Sequence, residues 1–395
     1  MKKTFRKGIY LLMVFLLLLS SESSVLAESF KEINVPEKQE IRHIINKIDA
    51  IKIADTFKIE FDGESIVNHG FKRDTLELLK GKVYNLFDME DNLVAYLVLT
   101  DHGYIVVDAN AENPRVLVTA EYGDSLEKIR KKLSESSSLY FIFPFTILTK
   151  EERDQYMLSN DVVAEDIVSV PKTTFSSDNL EKEDDISASV GNVSVELKNE
   201  KNFVKLIDDK GKKYYGGNQR WFNDQVNRKK GCGVIALTNV VSHLAKNGYP
   251  RLYNDGVTNL SVNYNTYRSK MEGLAAGYLS PGLFGIPFVA NYNTAANRFF
   301  KDKGYSNLEA QTFSSNYTAN IKAALRANQP VPMLIWVDGS GKNLNKHWIT
   351  ITKYFKSGST NEQYIALSTW GDRRSVNLDA ILSGYVRGAT YMRRK

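Results

Sequence analysis

From Pro171 to about Lys201 the chain runs through Ser, Asp, Glu, Asn and Lys with few large apolar residues. Such a stretch cannot bury enough surface to offset the entropy of ordering it, so it reads as an exposed linker. It divides 395 residues into two parts, each long enough for its own core. The charge divides at the same place. Residues 28–200 hold 20 basic and 34 acidic residues, net −14, and residues 201–395 hold 28 and 11, net +17. The whole-chain value of +6 hides this. Two halves of opposite sign point to one covering the other, or to a basic half that meets an anionic cell-envelope surface once freed.

The chain opens with a basic head, Lys2, Lys3, Arg6 and Lys7, followed by the apolar run Ile9 to Leu19 and the tripeptide Val25-Leu26-Ala27. That is the pattern of a secretory signal peptide over 1–27, cleaved after Ala27; the apolar run is short for a membrane anchor. The expected location is extracellular or at the cell envelope. Cys232 is the one cysteine. In an oxidising compartment it offers the fold no internal cross-link, so its role is packing or chemistry.

Three regions follow the leader: an acidic one over 28–170, the linker over 171–200, and a basic one over 201–395. In the first, Ile41, Ile44, Ile45, Ile48, Ile51 and Ile53 recur at helical spacing. Tyr96 to Leu99 and Tyr104 to Val107 flank Asp101-His102-Gly103 as a hairpin, with a strand at Val116 to Thr119 and a helix at Ser125 to Leu133. In the basic region helices are predicted at Val234 to Lys246, Asn291 to Lys303 and Asn320 to Ala327. Strands are predicted at Val331 to Val337, Trp348 to Tyr354 and Tyr364 to Trp370. Helices first and a sheet afterwards is an α+β order. With no metal-ligand cluster and no phosphate-loop spacing, neither a metal, an organic cofactor nor a nucleic-acid partner is expected.

Cys232 lies in Gly231-Cys232-Gly233, directly before a predicted helix. A thiol there meets the positive end of the helix dipole, which favours thiolate, and flanking glycines would let a substrate backbone approach the sulfur. A thiol nucleophile needs a base. His43, His69 and His102 precede the linker. His243 is 11 residues along the nucleophile's own helix, about 16 Å away at 1.5 Å per residue. His347 remains, following Asp338-Gly339-Ser340-Gly341 and opening a strand, a rigid mount for a base.

The strand after His347 ends in Ser368-Thr369-Trp370-Gly371. Together with Cys at a helix start and His at a strand start, this resembles the papain-like cysteine peptidases, whose corresponding motif is Asn-Ser-Trp-Gly. The resemblance implies an N-terminal helical part carrying the cysteine and a C-terminal antiparallel sheet carrying the histidine. It assigns Ser368, in the asparagine's place, to orienting His347, with Asp372 as the alternative, and Trp370 to shielding that pair. It also implies an oxyanion-binding glutamine upstream of the cysteine. Gln219, in Tyr215-Gly216-Gly217-Asn218-Gln219-Arg220-Trp221, resembles the motif of bacterial enzymes related to the double-glycine peptidases; Gln225, seven residues before Cys232, is the alternative. The run from Asn92 through Asp108 to Leu117 resembles a streptopain-type prodomain. The expected function is a secreted endopeptidase made as a precursor, acting on protein or peptide substrates and held by its own prodomain. A peptidoglycan hydrolase of the same fold and an inactive papain-like binding protein are the other readings.

Overall fold

The hairpin at Asp101-His102-Gly103 is the seed of a much larger sheet. Its strands, β2 (Leu93–Leu99) and β3 (Gly103–Asp108), pair antiparallel with Leu99 opposite Tyr104. Successive side chains point to opposite faces of a strand, and here both faces are buried. Leu97, Tyr104 and Val106 enter one core, while Tyr96, Val98, Ile105 and Val107 enter a second. The second core is covered by helix α1 (Lys47–Asp62), whose Ala50, Ile51, Ala54, Phe57 and Phe61 face it. Asn46 caps α1, accepting from the N–H groups of Ile48 and Asp49. The helix therefore begins later than the isoleucine spacing predicts.

In a computed structural model, residues 43–66, 82–160, 191–253, 262–282, 285–336, 346–383 and 386–394 are described. The expected signal peptide, residues 171–190 of the expected linker and the Asp338–Gly341 loop lie outside them. Among the described residues the fold is α+β, with nine α-helices and a 13-stranded, mostly antiparallel sheet. None of these helices is long and apolar enough to cross a membrane.

Beside the hairpin stand β1 (Val83–Phe87) and β4 (Val116–Glu121), then β5 (Leu139–Ile142) and β6 (Thr146–Thr149), with helices α2 (Ser125–Glu135) and α3 (Lys150–Asn160). The stretch expected as linker is strand at its end. β7 (Val193–Glu196) pairs with β12 (Lys346–Lys356), and Leu197 and Glu200 beyond it are buried. Its few apolar residues suffice because they add to the stretch of β12 that β11 leaves unpaired rather than forming a core. The remaining elements are a small hairpin of β8 (Lys205–Ile207) and β9 (Lys213–Tyr215), helices α4 (Gln225–Lys230), α5 (Cys232–Lys246), α6 (Tyr264–Gly277) and α7 (Val289–Asp302), strand β10 (Leu308–Phe313), helix α8 (Tyr317–Arg326), strands β11 (Val331–Trp336), β13 (Gln363–Thr369) and β14 (Asp372–Asn377), helix α9 (Leu378–Leu382) and strand β15 (Val386–Arg394).

The strand order is β10-β15-β11-β12-β13-β14-β4-β3-β2-β1-β5-β6. The acidic and basic regions meet inside it, where β14 pairs antiparallel with β4 from Arg373 opposite Glu121 to Val376 opposite Val118. Helix α5, buried nearly all round, packs on β12 and α6. That packing sets the start of α5 against the start of β12.

Candidate active site

Helix α4 ends at Gly231, whose N–H donates to the Asn227 carbonyl at 2.8 Å, and α5 starts at the next residue. Cys232 is therefore the first residue of α5, partly exposed. The flanking glycines are required by packing. A Cβ on Gly231 would lie 2.5 Å from the Asn227 carbonyl oxygen, and one on Gly233 2.8 Å from Ile286. Burial pushes the Cys232 thiol above its ordinary range, while the backbone N–H groups of Trp348, Gly233 and Cys232 itself, and the charge of Lys230, pull toward thiolate.

His347 is the second residue of β12, opposite Ile335 of β11, and is buried. Its Nε2 is 2.6 Å from Thr369 Oγ1, and its ring lies on the Trp370 indole with centroids 4.1 Å apart at 17°. Burial, and the positive charge of Arg374, hold its pKa down to about 3. The imidazole is neutral in this arrangement.

Trp370 reaches that position through an unusual backbone. β13 and β14 are joined by Trp370-Gly371 alone, with φ of +50° and +82°. Two left-handed residues in a two-residue hairpin match the twist of the strands they join. Glycine adopts that conformation freely; tryptophan does so at a cost of about 1–2 kcal/mol. The indole is held by the His347 ring, by Phe145 edge-on at 6.0 Å and by the Arg374 guanidinium at 5.1 Å. Its carbonyl accepts from Asn218 Nδ2 at 2.6 Å.

The structure corrects the assignment of the orienting residue. Ser368 is buried and lines the same crevice, but its hydroxyl donates to the Tyr215 carbonyl at 2.7 Å and accepts from Asn239 Nδ2 at 3.2 Å. Thr369, one residue on, is the hydroxyl that meets His347. Asp372 does not meet it either. Its carboxylate accepts from Ser125 at the start of α2 and from Arg374 Nη2 at 3.0 Å. Burial pushes its pKa up, against the opposing pull of Arg374 and Ser125.

Of the two glutamines, Gln219 lines the crevice with Cys232, and Gln225 is exposed at the start of α4. Gln219 Nε2 donates to the carbonyls of Arg228 (3.0 Å) and Lys229 (3.2 Å), which lie just before Cys232. His243 stands apart, its Nε2 2.9 Å from the Asn328 carbonyl oxygen. Asn239 is the residue the sequence reading missed. It lies seven positions after Cys232 on α5, buried in the same crevice, and nothing in its helical context distinguished it from a packing position.

Cys232, His347, Gln219, Ser368, Thr369 and Trp370 thus surround one crevice, with about 10 Å³ free for water centres. That is room for a single water molecule. A thiol and an imidazole thus line one crevice whose free space is too small for a peptide. Among the described residues no group of His, Cys, Asp or Glu side chains could hold a metal ion. Compared with family models, curated proteins and solved structures, the chain gives no match.

Proposed function

We propose that this chain is an exported cysteine hydrolase, a papain-like endopeptidase made as a precursor, with Cys232 as nucleophile and His347 as base. One observation carries the reading. The lone cysteine begins a buried helix in the same crevice as a histidine whose ring is fixed between a hydroxyl and an indole. A packing cysteine needs none of that.

His347 takes the thiol proton, and the Cys232 sulfur attacks the peptide carbonyl carbon. The oxyanion that forms is held by the Cys232 N–H and by Gln219, once the latter exchanges a carbonyl partner for the substrate oxygen. His347 returns its proton to the departing amine as the C–N bond breaks, leaving a thioester. Water, losing a proton to His347, cleaves the thioester and restores the thiol. Thr369 keeps the ring in register throughout, and Trp370 excludes water from the His347–Thr369 bond.

A narrow crevice with both groups neutral suits a latent precursor, with residues 28–170 as the prodomain. Labelling with an epoxide inhibitor of papain-like enzymes tests the reading. Slow labelling of Cys232 in the full chain and fast labelling after proteolytic maturation, with cleavage of casein, support it. Cleavage of purified peptidoglycan instead of casein would move the substrate to the cell wall. A thiol inert before and after maturation would leave a binding protein.

A further inference from the structure

We propose that Asn239 is a positioning residue for this site, acting through the 215–219 loop on Gln219; the inference rests on the hydrolase reading above. Asn239 lies seven residues after Cys232, two turns along α5 and on the same helix face, about 10 Å along the axis. It is 1% exposed and lines the crevice. Every hydrogen-bonding position of its amide is used. Oδ1 accepts from the Gly217 N–H at 3.0 Å and from the Tyr267 hydroxyl at 2.8 Å; Nδ2 donates to Ser368 Oγ at 3.2 Å and Thr350 Oγ1 at 3.4 Å. Ser368 in turn donates to the Tyr215 carbonyl at 2.7 Å. Tyr215 and Gly217 are thereby tied to one amide on the nucleophile's helix.

The loop is shaped to lie on that amide. Gly216, with φ of +74°, could carry no Cβ, which would stand 2.2 Å from Ser368 Oγ and 2.8 Å from Asn239 Oδ1. A Cβ on Gly217 would stand 2.2 Å from the Tyr267 hydroxyl. Two residues on, Gln219 takes up the carbonyls of Arg228 and Lys229. The amide therefore sets the height of Gln219 against Cys232 from one side, and the end of α4 sets it from the other. A helix needing only to pack on β12 would be served by leucine here. A buried amide is costly unless its partners must be held in one arrangement.

The distinguishing measurement compares two reactions of Cys232. Alkylation by iodoacetamide forms a carbon–sulfur bond and expels iodide, so it needs the thiol and its base but no oxyanion site. Peptide hydrolysis needs all three. On the secreted full-length protein after maturation, Asn239→Ala and the near-isosteric Asn239→Asp should lower kcat by about tenfold to a hundredfold, with KM within about twofold. Their alkylation rates should stay within about twofold of wild type. Each loss should merge with that of Gln219→Ala, the double variants being no slower than Gln219→Ala alone. Alkylation and kcat falling together, or losses that multiply with Gln219→Ala, would overturn the inference. If Asn239→Ala loses its cooperative melt, Asn239→Asp decides alone, since it keeps the acceptor for Gly217 and Tyr267. A wild type that alkylates but hydrolyses no peptide would overturn the hydrolase reading itself, and a wild type that hydrolyses with coupled losses would overturn only this inference.

Discussion

Burial at His347 has a consequence for stability that can be read without any substrate. An unfolded imidazole titrates near 6.5, and burial with Arg374 nearby brings His347 to about 3. Between those values the unfolded chain holds a proton that the native chain does not. Stability therefore falls as pH drops from about 6.5 toward about 3, by up to about 1.4 kcal/mol per unit, and is unaffected by this group above about 6.5. His243, also held down by burial, acts in the same direction, so the informative quantity is a difference. His347→Gln should flatten the pH profile of the melting temperature between pH 4.5 and 7, relieving about 2–3 kcal/mol of acid destabilisation. Equal slopes in the two proteins would mean that the imidazole is solvated. A second substitution separates neighbours in sequence. Thr369→Val should cost kcat about tenfold or more by releasing the ring nitrogen. Ser368→Ala should act chiefly through the 215–219 loop, and Thr369→Val with wild-type kcat would return the orienting role to Ser368. The sequence placed Cys232 and His347 at the starts of their elements, but it put Trp370 in a strand rather than in the turn after it and misassigned the hydroxyl beside the histidine. Ser368 and Thr369 both line the crevice, so which hydroxyl meets the ring depends on the phase of β13 where it enters its turn. The phase is set by a two-residue turn that contains a left-handed tryptophan, which no propensity anticipates.

Legibility varied among the elements for similar physical reasons. β2, β3, β4 and β11 are apolar runs and were read directly, and α5 was read because Val234, Leu237, Val241 and Leu244 recur at helical spacing. β14 was not read. Its sequence, Asp372-Arg373-Arg374-Ser375-Val376-Asn377, looks like a solvated loop, yet all six residues are buried between β13 and β4. Its charges are affordable because each meets a partner: Arg374 meets Asp372, and Arg373 meets three carboxylates. Hydropathy cannot see a strand whose burial depends on partners far along the chain. The turn leading into β14 is the element most exposed to a single change. Gly371→Ala would require a Cβ at φ +82°, 2.8 Å from a Tyr214 ring carbon. It should destabilise the protein by about 1–3 kcal/mol and slow turnover, because the displaced turn carries Trp370 off His347. Gly248→Ala, at φ +101° with open space around it, controls for backbone strain alone. It should lose stability without the loss of turnover.

At the scale of the molecule, the opposite charges of the two regions invite the expectation that their docking is driven by fields and weakens with salt. The structure leaves some pairs between the regions exposed, such as Lys201–Glu64 and Lys212–Glu127, but buries one cluster where salt reaches it little. Arg373 in β14 meets Asp62 of α1 at 2.9 Å, Glu121 of β4 at 3.2 Å and Glu200 at 3.0 Å, and Lys58 shares Asp62 and Glu121. Burial opposes ionisation of Asp62 and Glu200, yet Arg373 with Lys58 at Asp62, and Arg373 with the Tyr215 and Thr352 hydroxyls at Glu200, keep both carboxyls below their usual range. Around this cluster runs the β4–β14 ladder, and the core under α1 continues onto Phe355, Tyr364 and Ala366 of the basic region. Screening acts on exposed charges beyond about 8–10 Å and little on buried pairs in contact. A protease site introduced within residues 161–190 and cut should therefore leave the two fragments together on size exclusion, at low salt and at 1 M salt alike. Arg373→Met leaves Glu200 buried without its cation and Asp62 with Lys58 alone, a change that costs about 3–5 kcal/mol. In that variant the cut fragments should separate. Co-elution of wild-type fragments with separation of the Arg373→Met fragments would locate the hold in the buried cluster. Separation of the wild-type fragments as salt rises would instead assign it to surface fields. In the first case a cut alone does not release the basic region, and the proposed maturation would require that the acidic region itself be unfolded or digested away from β14.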